Sequence, residues 1–268
     1  MQNASSAGRK LTNEERVEVV KRQKKRNSFQ LAMLSVIGIL GFLLLWQAAV
    51  LAGVLPSRYV PAPTEVIALF ATKLVLGVHI MASLQVALTG FLLAIVIGIP
   101  LGLFMGWFRG FDKFMRPIFE ILRPIPPVSW IPLTIIWMGI GLQAKAFIVF
   151  FSAFVPCVIN AYTGIKQSSP VLINVAKTCG ASNFTVFRKI GIPSAMTMTF
   201  AGIRVALGNA WATLVAAEML AANAGLGYMI LQGRQFARAD IIILGIVVIG
   251  VIGVIFTSVL GLLEKKVL

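Results

Sequence analysis

Long apolar runs alternate with short polar connectors along this chain. Several runs approach the ~20 residues that a helix needs to cross a hydrocarbon core. Phe29 to about Gly53 reads as the first span and His79 to Phe108 as the second. A third starts near Pro117, a fourth runs from Ala144 to about Ile165, a fifth from Ser194 to about Leu220, and a sixth from Ile241 to Leu263. Segments such as Ile241 to Leu263 have no polar face, which a helix of a soluble bundle would need. The pattern predicts an all-α membrane protein with six transmembrane helices. It forms one folded domain over residues 29–268, after a basic N-terminal tail over residues 1–28. The first apolar run is too long for the core of a signal peptide and has no clear cleavage site after it.

The breaks between runs carry further information. Three prolines between Leu55 and Pro63 exclude a continuing helix. An amphipathic stretch, Glu65 to Leu76, follows on the outer surface. Pro100, with Gly98 and Gly102, makes a kink in the second span plausible. Arg109, Asp112, Lys113 and Arg116 read as a charged connector on the cytoplasmic side. The third span then contains Arg123-Pro124-Ile125-Pro126-Pro127-Val128-Ser129-Trp130-Ile131-Pro132, whose four prolines forbid a regular lipid-facing helix. Such backbone either lies at headgroup level or, deeper, lines a cavity. The stretch Ala221 to Asp240 returns on the outside, with Arg234 and Arg238 available to an anion.

Composition and charge sharpen this. Apolar residues make up 58% of the chain and charged residues 12%, and the mean hydropathy is +0.91, outside the range of soluble domains. The formal charge of +15 does not point to nucleic acid. Eight of the basic residues precede Ser28, in a tail without aromatics, and most others sit in connectors. That is a positive-inside distribution, with both termini in the cytoplasm, and the tail can also meet anionic headgroups of the bilayer. Cys157 and Cys179 fall in different environments, so no disulfide is expected. His79 is the single histidine. No phosphate loop, nucleophile set or metal spacing is present, so neither an enzyme nor a cofactor site is predicted. A proton-driven transporter would place carboxylates in its spans, and this chain has almost none there.

The connector from residue 166 to 193 holds Lys166, Lys177, Arg188 and Lys189 and no acid, so it faces the cytoplasm. It reads as a short helix stopped at Gly180, a helix C-cap residue, and a second short helix ending before Pro193. A helix–Gly–helix shape of this kind can dock into a groove on a soluble partner.

In the fifth span, Arg204, Gly208, Trp211, Val215 and Glu218 follow at steps of four, three, four and three, which places them on one helical face. Arg204 lies about 15 Å into the span, near the bilayer middle, and about 21 Å from Glu218 along the helix. A charge at that depth faces the bundle interior or a water-filled cavity. Either Arg204 is structural or it attracts an anion along a translocation path. Trp211 shares that face and belongs with the path, Trp130 is a further path candidate, and Trp137 fits a membrane interface. Glu218, at the outer end, would repel an anion and reads as a gate or structural contact.

The connector resembles that of permeases of binding-protein-dependent importers, written Glu-Ala-Ala, three residues, Gly, nine residues, Ile, one residue, Leu-Pro. Ala176, Gly180, Ile190, Ile192 and Pro193 stand at matching spacing, with Asn174 for Glu, Val175 for Ala and Ile192 for Leu. The resemblance implies that Lys177, Ala181 and Ser182 complete an ATPase-coupling element. Further strings are similar to those of permeases for taurine and other sulfonates, a group that includes those for nitrate and bicarbonate. They are Arg123 to Pro127, Trp130 to Leu133, Ile136 to Gly141, Trp211 to Glu218 and Gly225 to Met229. The resemblance implies the type I ABC importer fold, called MetI-like, in the bacterial inner membrane. It implies a homodimer of this chain, two ATP-binding-cassette ATPase subunits that use the ATP, and a periplasmic or lipid-anchored substrate-binding protein. It also implies a path at the dimer axis for a small organic anion such as taurine, with nitrate, bicarbonate or a thiamine precursor as alternatives.

Overall fold

The computed structural model describes residues 13–72 and 76–267, which are helices joined by turns with no strand among them. Among the described residues, five helices are long and apolar enough to cross a membrane, or six if the pair bent by 84° is one span. Residues 1–65 and 66–268 form two compact units.

In the first unit, α1 runs from Asn13 to Leu51, with its apolar length over Met33–Leu51. The expected boundary between tail and span at residue 28 is therefore crossed by one helix. The charged run from Glu14 to Arg26 contains good helix formers and no Gly or Pro, so it propagates the helix without needing burial. Residues 1–12, the rest of the expected tail, lie outside the described residues. Gln47 Oε1 accepts from Thr64 N and Oγ1, both at 3.3 Å, at the start of α2 (Pro63–Thr72). The last part of the expected amphipathic stretch, residues 73–75, also lies outside the described residues.

The second unit is built around α3 (Leu76–Trp107), α6 (Leu142–Lys166) and α9 (Ile192–Ala221). Gly90, Ala94, Gly98, Gly102 and Gly106 recur every fourth residue on α3 and are all buried. Gly90 meets Ala146 and Val149, Gly98 meets Cys157, Gly102 meets Val158 and Gly106 meets Ile165, so α3 and α6 run parallel. A Cβ added at Gly102 would stand 2.4 Å from the Val158 carbonyl oxygen, and one at Gly106 would stand 2.2 Å from Ile165 Cγ2. Small residues at such spacing let two membrane helices approach closely enough for backbone contact. Gly202 on α9 does the same against Asn160. Beside this seam, Val149, Ala153 and Cys157 of α6 pack with Val86 and Ala94 of α3 and Ala206 and Leu214 of α9.

The third span departs from expectation at its start. Arg109 to Arg116 are helical, part of α4 (Arg109–Leu122), which begins directly after α3. One face of this segment is charged and the other apolar, so Met115 and Phe119 can pack while the charges stay out. Phe119 lies against Met105 and Val158 and makes an edge contact with Phe154 at 6.3 Å. A 3-10 turn (Pro127–Trp130) and α5 (Ile131–Met138) complete the bent pair. Val158 precedes Lys166 by eight residues, about 12 Å of helix. The proline-rich break thus lies within the depth of α6 rather than at its end, which favours the deeper of the two placements.

Beyond α6 come α7 (Pro170–Thr178), α8 (Asn183–Val186) and a five-residue π-helical turn (Phe187–Gly191) that runs straight into α9. The second connector helix therefore does not stop before Pro193. The π turn supplies the reason: Ile192 N bonds to Phe187 O, five residues back, and the widened turn makes room for the proline ring. The helix is continuous from Asn183 to Leu220. Two more helices, α10 (Leu226–Gln235) and α11 (Ala239–Val267), close the unit.

Candidate functional site

The connector's first helix ends as its sequence dictates. Gly180 has φ +80°, a left-handed value that L side chains rarely adopt. Gly180 N donates to Lys177 O at 2.9 Å and Ala181 N donates to Ala176 O at 3.0 Å. This pair of bonds is a Schellman cap and satisfies the last carbonyls of α7. Thr178 Oγ1 bonds back to Asn174 O at 3.0 Å. Ser182 then caps α8, its hydroxyl accepting from Thr185 N at 3.2 Å. Asn174, Ala176, Lys177, Gly180, Ala181 and Ser182 thus form one compact reversal, while Pro193 lies beyond it in α9. No residue of α7 is buried. Val171, Leu172, Val175 and Phe184 are all more than half exposed and present apolar surface.

The residues expected to share one face of the fifth span meet different neighbours along it. Arg204 pairs with the Glu264 carboxylate, beside Lys265 and Lys266 in the last turns of α11. It therefore lies level with the end of α11, not near the middle of the span. Gly208 is exposed with open space around it. Trp211 turns to α11, donating from Nε1 to Ile249 O at 3.1 Å and meeting Phe256 edge-on at 5.1 Å. Val215 is half-buried, its carbonyl close against Gly227. Trp130 packs on Phe151 at 5.4 Å, and its buried indole N–H has no hydrogen-bond partner among the described residues. The Arg204 and Glu264 side chains are 53% and 23% exposed. Glu264→Gln should therefore barely move the thermal midpoint of the purified protein, as followed by fluorescence-monitored melting.

Glu218 is fully buried and holds three elements together. Ser83 Oγ of α3 lies 2.7 and 2.9 Å from its two carboxylate oxygens, and Gly227 N of α10 donates to Oε2 at 2.9 Å. Ser83 Oγ in turn accepts from Leu226 N at 2.8 Å, and His79 Nδ1 accepts from Gly225 N at 3.1 Å. The free N–H groups at the start of α10 are thereby satisfied by side chains of α3 and α9. Gly225 has φ +129°, and a Cβ there would stand 2.4 Å from the Glu218 carboxyl carbon. Lys145 of α6, 7% exposed, attracts the Glu218 carboxylate electrostatically without an ion pair among the described residues. Of the two roles considered for Glu218, the structural contact is the one its geometry supports. Ser83, Lys145 and the acceptor role of His79 are absent from the sequence reading. Lys145 had a visible signal, a cation inside an apolar run. Ser83 had none.

Arg234 and Arg238, the cations expected on the outer side, also find definite places. Arg238 Nε donates to Asp240 Oδ1 at 2.9 Å, so its charge is engaged locally. Arg234 lies in the last turn of α10.

A cavity of about 210 Å³ opens between α4 and α6. Asp112, Arg116, Glu120 and Arg123 reach it from α4 and its C-cap, and Tyr162 and Thr163 from α6. Arg116 is held by Asp112 at 2.8 Å and by the Tyr162 hydroxyl.

Residues 98–268 match the family described as binding-protein-dependent transport system inner membrane component. The taurine transport system permease protein of Escherichia coli (strain K12) is 33% identical over 239 residues, 86% of this chain and 87% of that one. The bicarbonate transport system permease protein of Synechocystis sp. is 32% identical over 247 residues, 87% of each chain. The MetNI methionine ABC transporter in an inward-facing conformation shares the fold, with TM-score 0.62 at 20% identity, over 70% of this chain and 94% of that one.

Proposed function

Since the chain belongs to the binding-protein-dependent transport system inner membrane component family, we propose that it carries taurine or another small sulfonate across the bacterial inner membrane as the permease subunit of an ABC importer. Two copies of the chain form the path, two ATPase subunits dock on the cytoplasmic connectors, and a substrate-binding protein delivers the solute on the other side. Both termini face the cytoplasm in this arrangement.

One observation carries the reading. Helix α7 has no buried residue, yet it is capped at its end by a glycine-dependent reversal and shows Val171, Leu172 and Val175 to the surroundings. An amphipathic helix without a partner in its own chain is stabilised by a groove on another. ATP binding favours the ATPase arrangement in which the two subunits close, and the difference in affinity between the two states shifts the permease. The continuous helix from Asn183 to Leu220 carries that shift from the docking reversal into the membrane. The substrate class is supported by the taurine and bicarbonate permease relatives, whose named solutes are both small and both carry an anionic oxygen group.

The test is ATP hydrolysis in proteoliposomes holding this chain, its ATPase and its binding protein. Taurine, an alkanesulfonate, nitrate, bicarbonate and a thiamine precursor are added in turn. Stimulation by taurine or the alkanesulfonate supports the assignment, and stimulation by one of the others alone replaces it. Gly180→Val should remove the stimulation while the chain stays in the membrane, because valine resists the left-handed backbone that ends α7. Undiminished stimulation in that variant would sink the docking assignment.

A further inference from the structure

Helix α4 sorts its side chains sharply. Phe111, Phe114, Ile118 and Ile121 are exposed on one side, and Phe119 packs inward. Asp112, Arg116, Glu120 and Arg123 line the cavity against α6. The cavity is bounded at its deep end by Val158 and Ile159, about 12 Å of helix before Lys166. Charged side chains at such depth face a water-filled space rather than lipid.

The four charges are not equivalent. Asp112 and Arg116 neutralise each other across one helical turn, and Arg116 is further fixed over the Tyr162 ring at 5.3 Å. Glu120 and Arg123, three residues apart and therefore neighbours on the helix surface, form no ion pair among the described residues. They stand in the cavity without a salt bridge, although Glu120, four residues beyond Arg116, also attracts that guanidinium. A site for a simple anion would have no use for Glu120, which would repel it. A site for a cation would have no use for Arg123. A solute with both charges satisfies both groups, and the four side chains sum to zero formal charge, as such a solute does.

We propose that this cavity is a transit site for a small zwitterion, with Arg123 holding its oxyanion and Glu120 its ammonium group. The inference rests on the importer reading and narrows it: an aminosulfonate fits the site, whereas bicarbonate or a plain alkanesulfonate leaves Glu120 unmatched. The guanidinium offers paired donors to two oxygens of a sulfonate. Tyr162 and Thr163 supply hydroxyls on the opposite wall.

The test uses the complex of this chain with its ATPase in nanodiscs, without the binding protein. Calorimetric titrations with taurine, ethanesulfonate and ethylamine present both charges, the anion alone and the cation alone. Taurine should bind about tenfold or more tighter than either single-charge probe, the worth of one charged hydrogen bond. Glu120→Gln should erase the advantage over ethanesulfonate, and Arg123→Gln the advantage over ethylamine. Lys113→Gln, on α4 but outside the cavity, should leave the order unchanged and controls for general charge effects. Equal binding of the three probes, no binding of any, or a taurine preference that survives in both cavity variants would overturn the proposal. Stimulation of ATP hydrolysis by the binding protein is read separately on the same preparation. If it persists without a taurine preference, the site is wrong and the importer reading stands. If it is absent while the preference holds, the site stands and the importer reading falls.

Discussion

Gly102→Leu should yield a chain that fails to accumulate as folded protein. A Cβ at this position would already be 2.4 Å from the Val158 carbonyl oxygen and 2.9 Å from Ala161 Cβ. The obstacle is backbone on a parallel helix, so it cannot rotate away as a side chain would. Ordinary overpacking costs ~1–3 kcal/mol, and here the seam of Gly90, Gly98, Gly102 and Gly106 must open as a whole. The neighbouring contacts in that seam depend on the same close approach. Size-exclusion profiles in detergent and thermal unfolding check this. Gly250→Leu on α11 is the matched control, since nothing lies within 4 Å of a Cβ there. A Gly102→Leu protein as monodisperse and heat-resistant as Gly250→Leu would contradict the close-packed seam.

The second large effect belongs to Glu218. Glu218→Ala leaves Ser83 and the Gly227 N–H without their acceptor in a fully buried place. Each unsatisfied group costs about 1–3 kcal/mol, so a loss of several kcal/mol is expected, and α10 should detach first because its N-terminal N–H groups depend on this knot. Glu218→Gln keeps an acceptor and should be milder, its loss coming from the removed attraction to Lys145. Combining Glu218→Gln with Lys145→Met should then be less damaging than the two single effects added together. The cycle is read from thermal or denaturant unfolding of the purified protein. Additivity within about 0.5 kcal/mol would mean that the two charges do not interact. Proteolysis of the segment around Ala222 to Gly225 gives an independent view, since release of α10 exposes it.

The two cases also separate what the sequence could tell from what it could not. Apolar run lengths suffice to locate the spans, because a lipid-facing helix is written entirely in its own residues. The reversal at Gly180 is legible for the same reason: its bonds run between Ala176 and Ala181. The start of α1 is not, because a charged helix needs no burial pattern to form. The role of Glu218 is not, because its partner Ser83 lies 135 positions away. A regular stepping of positions along the fifth span places Arg204, Trp211 and Glu218 on one side, but the neighbours differ along it. Arg204 meets the end of α11, Trp211 the Ile249 carbonyl and Glu218 the start of α10. The charged face of α4 reads as a connector because four charges within eight residues look like solvent-exposed chain when the helical repeat is ignored.

The π-helical turn over Phe187–Gly191 fixes more than the passage through Pro193. A π turn holds one residue more than an α turn, and one residue corresponds to about 100° of rotation about the helix axis. Loss of that extra residue would restore regular winding with the flanking segments nearly in phase, whereas a residue added or lost elsewhere in Asn183–Leu220 would swing α8, with the exposed Phe184, by about 100° around the helix axis. The orientation of the Gly180 reversal relative to α9 is therefore indexed by chain length along this helix, with one residue of slack at the π turn. Substitutions in this helix, and one deletion at the π turn, can be absorbed, but other insertions and deletions re-aim the whole segment that precedes α9.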